Sequence, residues 1–282
     1  MRERGDVVGR DGKGRLSDLL RVAPDTRIDL DRFDAAATHG WDKEQALAQQ
    51  GRFEAHLTDL QERLWAEGKQ RLLVVLQGID AAGKDGTIRH VMDAFNPQGC
   101  SVVGFKVPSE VERAHDYLWR VHEHTPAAGH ITIFNRSHYE DVLVVRVHDI
   151  VPKATWSRRY RHINEWERML TDEGTTIVKF FLYIDRAEQR ERLQARLDEP
   201  DKRWKFSTGD LGERDLWGDY ITAFEEVLQR TSTEWAPWYL IPAGRKWFRN
   251  LAVAHILGEI IDDLDPRYPQ PEEGLAGIVI PE

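Results

Sequence analysis

A single cysteine, Cys100, in 282 residues excludes an internal disulfide and a cysteine-cluster metal site. Its neighbours place it at the start of a strand, as a core residue. No stretch approaches the roughly 20 apolar residues that span a bilayer. The start, Met1-Arg2-Glu3-Arg4-Gly5-Asp6, lacks the apolar segment of a secretory signal, so a cytoplasmic address without membrane attachment is expected. Positive charge is also short: 39 Lys and Arg against 48 Asp and Glu leave a net charge of −9. That argues against nucleic acid as a partner, because nonspecific binding rests on phosphate neutralisation by excess cations. Any polyanion must meet a local basic groove. Trp156-Ser157-Arg158-Arg159-Tyr160-Arg161 and Lys202-Arg203-Trp204-Lys205 are candidates, with a solvated face as the alternative.

What is present is material for a large core: 41% hydrophobic residues, with ten Trp and ten Phe. Residues 1–40 show little periodicity and read as an N-terminal arm. Across 43–69, Leu47, Phe53, Leu57, Leu60 and Leu64 recur at helical spacing. Apolar runs at 72–78, 101–107, 131–134, 176–184 and 238–241 read as strands. Helices are expected at 87–95, 110–124, 155–172, 186–197, 216–231 and 250–264. Continuous apolar strands alternating with helices predict a three-layer α/β/α fold with a mostly parallel five-stranded sheet. Residues 198–215, polar and basic between two helices, suggest a helical lid that excludes water. Residues 266–282 are proline-rich and read as a C-terminal tail.

The run LLVVLQGIDAAGKDGT, residues 72–87, is a strand feeding a glycine-bounded loop that ends in a lysine and opens a helix. Such a loop wraps phosphate with backbone N–H groups and the helix N-terminus. Gly78, Ala81, Ala82, Gly83, Asp85, Gly86 and Thr87 are its candidate phosphate-binding residues. Lys84 is the candidate that stabilises charge on transferred oxygens. Where the common pattern puts a Mg²⁺-binding Ser or Thr after the lysine, this chain has Asp85, and a further carboxylate, Asp80, lies inside the loop. The metal must be held differently, with Asp80 as the leading ligand. A second cluster follows the strand 131–134, where Asn135, Arg136, Glu140 and Asp141 gather at the edge at which open α/β sheets bind ligands. An acidic metal ligand is usual at the position of Asn135. Arg136 offers a bidentate donor to the same crevice.

Five ordered blocks, GIDAAGKDGTIRHVMDAFNPQG, HDYLWR, IFNRSHYEDVLVVRVH, KRWKFSTGDLGER and TSTEWAPWYLIPA, resemble the second family of polyphosphate kinases over about residues 41–264. The resemblance implies a thymidylate-kinase-like P-loop kinase domain over 41–265, transferring phosphoryl groups reversibly between inorganic polyphosphate and nucleotides. It implies Mg²⁺, with Mn²⁺ as a substitute, and a homodimer or homotetramer. Asp80 and Lys84 match the family's phosphate-loop aspartate and lysine, and Arg136 its arginine in the second motif. Lys202, Lys205 and Arg214 map onto the lid, and Arg146 and His148 are candidates to meet the acceptor's phosphate. Asp80, Asn135 and Glu140 form the candidate metal set. FNRSHYE, with Asn135 and Glu140, resembles the class III branch, which acts on AMP and ADP, forming ADP and ATP; guanine nucleotides are a further candidate. A monophosphate acceptor leaves vacant the space of a β-phosphate, where a carboxylate such as Glu140 can place a metal or water. No protein nucleophile is needed, because the acceptor's phosphate oxygen is already an anion. An ATP-dependent nucleotide kinase and a non-catalytic polyphosphate or nucleotide sensor are the alternatives.

Overall fold

The computed structural model describes residues 14–275 and 278–281. Residues 1–13 of the expected arm, and residues 276, 277 and 282 of the expected tail, lie outside the described residues. The chain runs through α1 (Leu16–Leu20), β1 (Arg21–Val22), α2 (Lys43–Glu67), β2 (Arg71–Gly78), α3 (Lys84–Met92) and β3 (Cys100–Gly104). The short helices α4 (Glu110–Arg113) and α5 (Trp119–His122) precede β4 (Ile131–Asn135). A 3-10 turn (His138–Asp141) and α6 (Val144–Val147) lead to α7 (Lys153–Asp172) and β5 (Thr175–Tyr183). After α8 (Arg186–Asp198) come a 3-10 helix (Pro200–Lys205), α9 (Gly209–Asp215), α10 (Trp217–Thr231), β6 (Trp238–Pro242) and α11 (Lys246–Leu264).

The sheet has six strands in the order β1-β6-β5-β2-β4-β3, not the five expected. All neighbours are parallel except β1, which pairs antiparallel with β6 through Arg21 opposite Tyr239 and Val22 opposite Trp238. A two-residue strand is too short to show a period, which is why 1–40 read only as an arm. β2 is sandwiched between β4 and β5 and buries both faces. Leu72, Val74 and Leu76 join the core formed by Phe53, Leu57 and Leu64 of α2 and Phe248 and Ile256 of α11. Leu73 and Val75 join the opposite core with Tyr160 and Ile163 of α7 and Phe224 and Leu228 of α10.

α2 follows its sequence signals closely. Asp42 caps its N-terminus by accepting from the Gln45 N–H at 2.8 Å, and Gly68, with φ +66°, closes it in the left-handed conformation. Leu47, grouped with the apolar stripe, instead faces outward. The single helix expected over 110–124 is two. Ser109 and Glu112 form a capping box that starts α4, but the Asp116 carboxylate accepts from the Leu118 N–H at 3.0 Å and offers the backbone a turn between the two helices. Because β3 and β4 lie on one side of β2 and β5 and β6 on the other, the connections diverge beyond the carboxyl end of β2. That is the crevice where open α/β sheets place ligands.

Candidate active site

The loop after β2 and the turn after β4 open onto a cleft of about 920 Å³. Gly83 is the N-cap of α3 at φ +104°, a conformation that disfavours any side chain. The N–H groups of Lys84, Asp85 and Gly86 head that helix, where no preceding turn supplies acceptors, and its dipole adds partial positive charge. Side chains from outside the loop hold its carbonyls. Gln189 Nε2 donates to Asp80 O at 3.1 Å, and Arg192 Nη1 to Ala81 O and Ala82 O at 3.1 and 2.9 Å. Arg249 Nη1 also donates to Ala82 O, at 3.2 Å. Lys84 is buried and donates from Nζ to Gly78 O at 2.6 Å. Burial lowers its pKa, Arg136 adds to the effect, and Asp80, Glu140 and Asp85 oppose it.

Two loop residues do not serve as expected. The Ala82 N–H is taken by Ile79 O at 3.0 Å, so it is not free for a phosphate. Thr87 is buried, its N–H bonded to Gly83 O at 3.0 Å and its hydroxyl to the same carbonyl at 3.2 Å, so it stabilises the first turn of the helix.

Arg136 bridges the two segments. Its Nη2 donates to Asp80 Oδ1 at 2.8 Å and its Nη1 to Glu140 Oε2 at 3.4 Å. Burial works against the Arg136 charge, but Glu140 and Asp80 outweigh it and raise its pKa. Asn135 donates from Nδ2 to Asp85 Oδ1 at 2.8 Å, tying the β4 edge to the first turn of α3. Ala81 (φ +67°) and Arg136 (φ +62°) both occupy the left-handed region despite carrying side chains. Each such residue costs about 1 kcal/mol, and their clustering here marks an imposed geometry.

A fully buried polar network holds the turn from below. Gln77 Nε2 donates to Ser137 Oγ at 3.1 Å, and Ser137 Oγ accepts from the Tyr139 N–H at 3.2 Å. The Tyr139 hydroxyl donates to Glu167 Oε1 at 2.8 Å. Lys179 Nζ donates to Glu167 Oε2, Thr231 O and Tyr139 Oη at 2.6, 2.7 and 2.9 Å, which matches its three ammonium protons with three acceptors. Burial opposes ionisation of Glu167, but Lys179 and the hydrogen bonds from His138 and Lys179 outweigh it and hold the carboxylate below its usual range.

The cleft gathers cations. Ten Lys and Arg side chains line it against five carboxylates, a surplus of five positive charges in a chain whose net charge is −9. Lys202 and Lys205 line it as expected of the lid segment, together with Arg89, Lys106 and Arg196. Three predicted phosphate contacts lie elsewhere. The Arg146 guanidinium donates to Glu226 at 2.6 Å and to the Tyr160 hydroxyl at 3.2 Å, and it lies over the Trp156 ring. That role is structural, joining α6 to α7 and α10. His148 Nε2 sits 3.0 Å from Glu213 Oε1 and beside Tyr220. Arg214 donates to Arg186 O and to Gln189 Oε1, both at 2.9 Å, reaching the loop only through Gln189.

Gln189, Arg192, Lys246 and Arg249 were not singled out from the sequence. Arg249 had a signal: it stands in the apolar run of α11, where a charge needs a reason. Arg192, one charge among many on α8, had none.

The polyphosphate kinase 2 family profile matches residues 40–269. This chain belongs to the polyphosphate kinase 2 family. It is 56% identical over 262 residues to the AMP/ADP-polyphosphate phosphotransferase of Meiothermus ruber, covering 92% of this chain and 98% of that one. It is 43% identical to the ADP-polyphosphate phosphotransferase of Rhodopseudomonas palustris, covering 89% and 91%. The crystal structure of polyphosphate kinase 2 from Arthrobacter aurescens TC1 superposes with a TM-score of 0.90 at 42% identity, covering 94% of this chain and 95% of that one. The fold is therefore the P-loop kinase fold of polyphosphate kinase 2 structures, with the short β1 added at the sheet edge. Among the described residues of this family member, no helix is long and apolar enough to cross a membrane.

Proposed function

We propose that the protein transfers phosphoryl groups from inorganic polyphosphate to AMP and to ADP, forming ADP and ATP, reversibly and in the cytoplasm. The observation that carries this reading is the cleft's surplus of five positive charges beside the glycine-bounded loop, in an otherwise acidic chain. Such a field concentrates a polyanion. The similarity to the Meiothermus ruber AMP/ADP-polyphosphate phosphotransferase supports the choice of acceptors.

In the forward step an oxygen of the acceptor's terminal phosphate attacks the end phosphorus of the polyphosphate. A new P–O bond forms as the bond to the next phosphate breaks, and the shortened chain leaves with the electron pair. The N–H groups at the start of α3 and Lys84 hold the phosphoryl oxygens, and Arg136 neutralises charge between the two substrates. The attacking oxygen is already an anion, so the residues align and shield rather than abstract a proton. Lys202 and Lys205, on the segment proposed as a lid, cover the cleft and keep water from accepting the phosphoryl group.

The carboxylates suit magnesium. Asp80 and Glu140 share one guanidinium, and among the described residues no cluster of three His, Cys, Asp or Glu could hold an ion alone. Mg²⁺ typically takes one or two carboxylates and completes its shell with phosphates and water, which fits this donor set. Asp80 and Glu140 would hold the ion, with Asn135 beside them and Mn²⁺ as a substitute, and it would neutralise charge on the phosphate oxygens.

The protein is incubated with polyphosphate, Mg²⁺ and either AMP or ADP, and all nucleotides are followed. Product is expected in both tubes, and none in either would refute the reading. ATP plus AMP turnover surviving removal of all polyphosphate would indicate an ATP-dependent kinase instead. Glu140→Asn is expected to change the ratio of AMP to ADP rates; an unchanged ratio rules out Glu140 as the acceptor-sensing group. Sedimentation tests the proposed homodimer or homotetramer. Guanine nucleotides serve as a second acceptor series, as suggested by the similarity to the GDP-polyphosphate phosphotransferase of Mycolicibacterium smegmatis.

A further inference from the structure

Arg249 is only 4% exposed, yet among the described residues no carboxylate pairs with it. Its guanidinium donates to Ala82 O and to Oδ1 of its neighbour Asn250, at 3.1 Å from Nε and 2.8 Å from Nη2. It lies against the phosphate loop, so close that a Cβ on Gly83 would collide with Nη1 and one on Gly86 would stand 3.2 Å from Nη2. Arg192 reaches the same loop, with Nη2 donating to Ala243 O and Gly244 O at 2.6 and 3.1 Å, and its one carboxylate partner is Glu188. Lys246 begins α11 beside them. The crowding is unfavourable: burial and Arg192 push Arg249 down to about 10, and burial, Arg192, Lys202 and Arg249 lower Lys246.

Holding a loop carbonyl does not require this. Gln189, a neutral amide, holds Asp80 O on the same loop. A buried, uncompensated cation beside two others costs stability unless an anion joins it. We propose that Arg192, Lys246 and Arg249 form a second anion subsite adjoining the phosphate loop, which holds phosphates of linear polyphosphate beyond the one transferred. The subsite rests on the polyphosphate reading of the cleft and gives the chain a direction, along the start of α11 toward Lys202. A linear condensed phosphate repeats its charge along its length and so suits a line of separate cations. AMP, with one phosphate, does not reach it.

Tripolyphosphate and AMP are titrated calorimetrically into the full-length protein, Arg249→Met, Arg249→Lys and Lys246→Ala at several salt concentrations, with polyphosphate and AMP KM values measured alongside. In Arg249→Met, tripolyphosphate affinity should fall about tenfold or more and the slope of log affinity against log salt should drop by about one, while AMP stays within about twofold. Arg249→Lys should keep most of the salt slope, and Lys246→Ala should raise the polyphosphate KM several-fold. Unchanged tripolyphosphate binding, or equal weakening of tripolyphosphate and AMP, would overturn the subsite. If Arg249→Met does not melt cooperatively, Lys246→Ala, at an exposed position, decides by the same criteria. Wild-type protein that binds tripolyphosphate with the predicted variant pattern but makes no nucleotide product would refute the transferase reading and leave the subsite standing. Product formation with unchanged polyphosphate KM in both variants would do the reverse.

Discussion

Replacing Lys179 by Met removes the cation from the network beneath the Arg136 turn and leaves Glu167 ionised and buried. Both side chains are fully shielded from solvent, and Nζ and Oε2 are 2.6 Å apart. Breaking a buried pair by deleting one partner costs about 3–5 kcal/mol, because the remaining charge loses its compensation. At about 2–4 °C per kcal/mol for a domain of this size, the melting temperature should fall by about 10 °C. The same deletion orphans Thr231 O and one acceptor position of the Tyr139 hydroxyl, which places the expectation toward the upper end. Adding Glu167→Gln removes the stranded charge while keeping an acceptor for the Tyr139 hydroxyl. The double variant should therefore be less destabilised than the sum of the two singles by about 0.5–3 kcal/mol. Urea denaturation of the wild type, both singles and the double supplies the cycle. A Lys179→Met loss below about 1 kcal/mol, or strict additivity of the two substitutions, would refute the argument that ionic coupling holds this turn. In wild type, the Glu167 contribution is present at neutral pH and fades as pH falls through its lowered folded value.

His255 is buried against Phe53, their rings stacked at 4.0 Å, and burial lowers its pKa from 6.5 to about 4. The unfolded chain therefore binds a proton that the folded one refuses, and stability falls as pH drops through that interval, by about 3 kcal/mol in all. Urea midpoints at pH 7 and pH 4.5 should differ less in His255→Phe than in wild type; equal differences would show that His255 is not the source. Gly83→Ala meets both a φ of +104° and the Arg249 guanidinium. Displacing the loop by about 1 Å should lower polyphosphate-dependent turnover by about 100-fold. Near wild-type turnover would mean that the loop does not position the reacting phosphate.

The alternation of strand and helix was legible because parallel strands bury both faces and so read as unbroken apolar runs, as in β2 and β5. The glycine-bounded loop and the Asn135–Glu140 turn were legible because each packs its chemistry into a few consecutive residues. β1 was not, since two residues carry no period. Arg146 and Arg136 look alike in sequence, and only tertiary partners separate them: Glu226 and Tyr160 tie Arg146 into the helical layer, whereas Asp80 and Glu140 hold Arg136 over the crevice. Arg192 and Arg249 lie over 100 and 160 residues from the loop they hold. No local pattern could join them to it.

The central claim is that nucleotide and polyphosphate exchange one phosphoryl group directly, and mass balance tests it. With polyphosphate as the sole donor and AMP as the sole nucleotide, phosphoanhydride bonds gained by nucleotide are counted against those lost from polyphosphate, with orthophosphate measured in parallel. The account predicts equal gain and loss, ADP appearing before ATP, and orthophosphate at background. Orthophosphate release matching the polyphosphate loss, with no nucleotide gain, would contradict it.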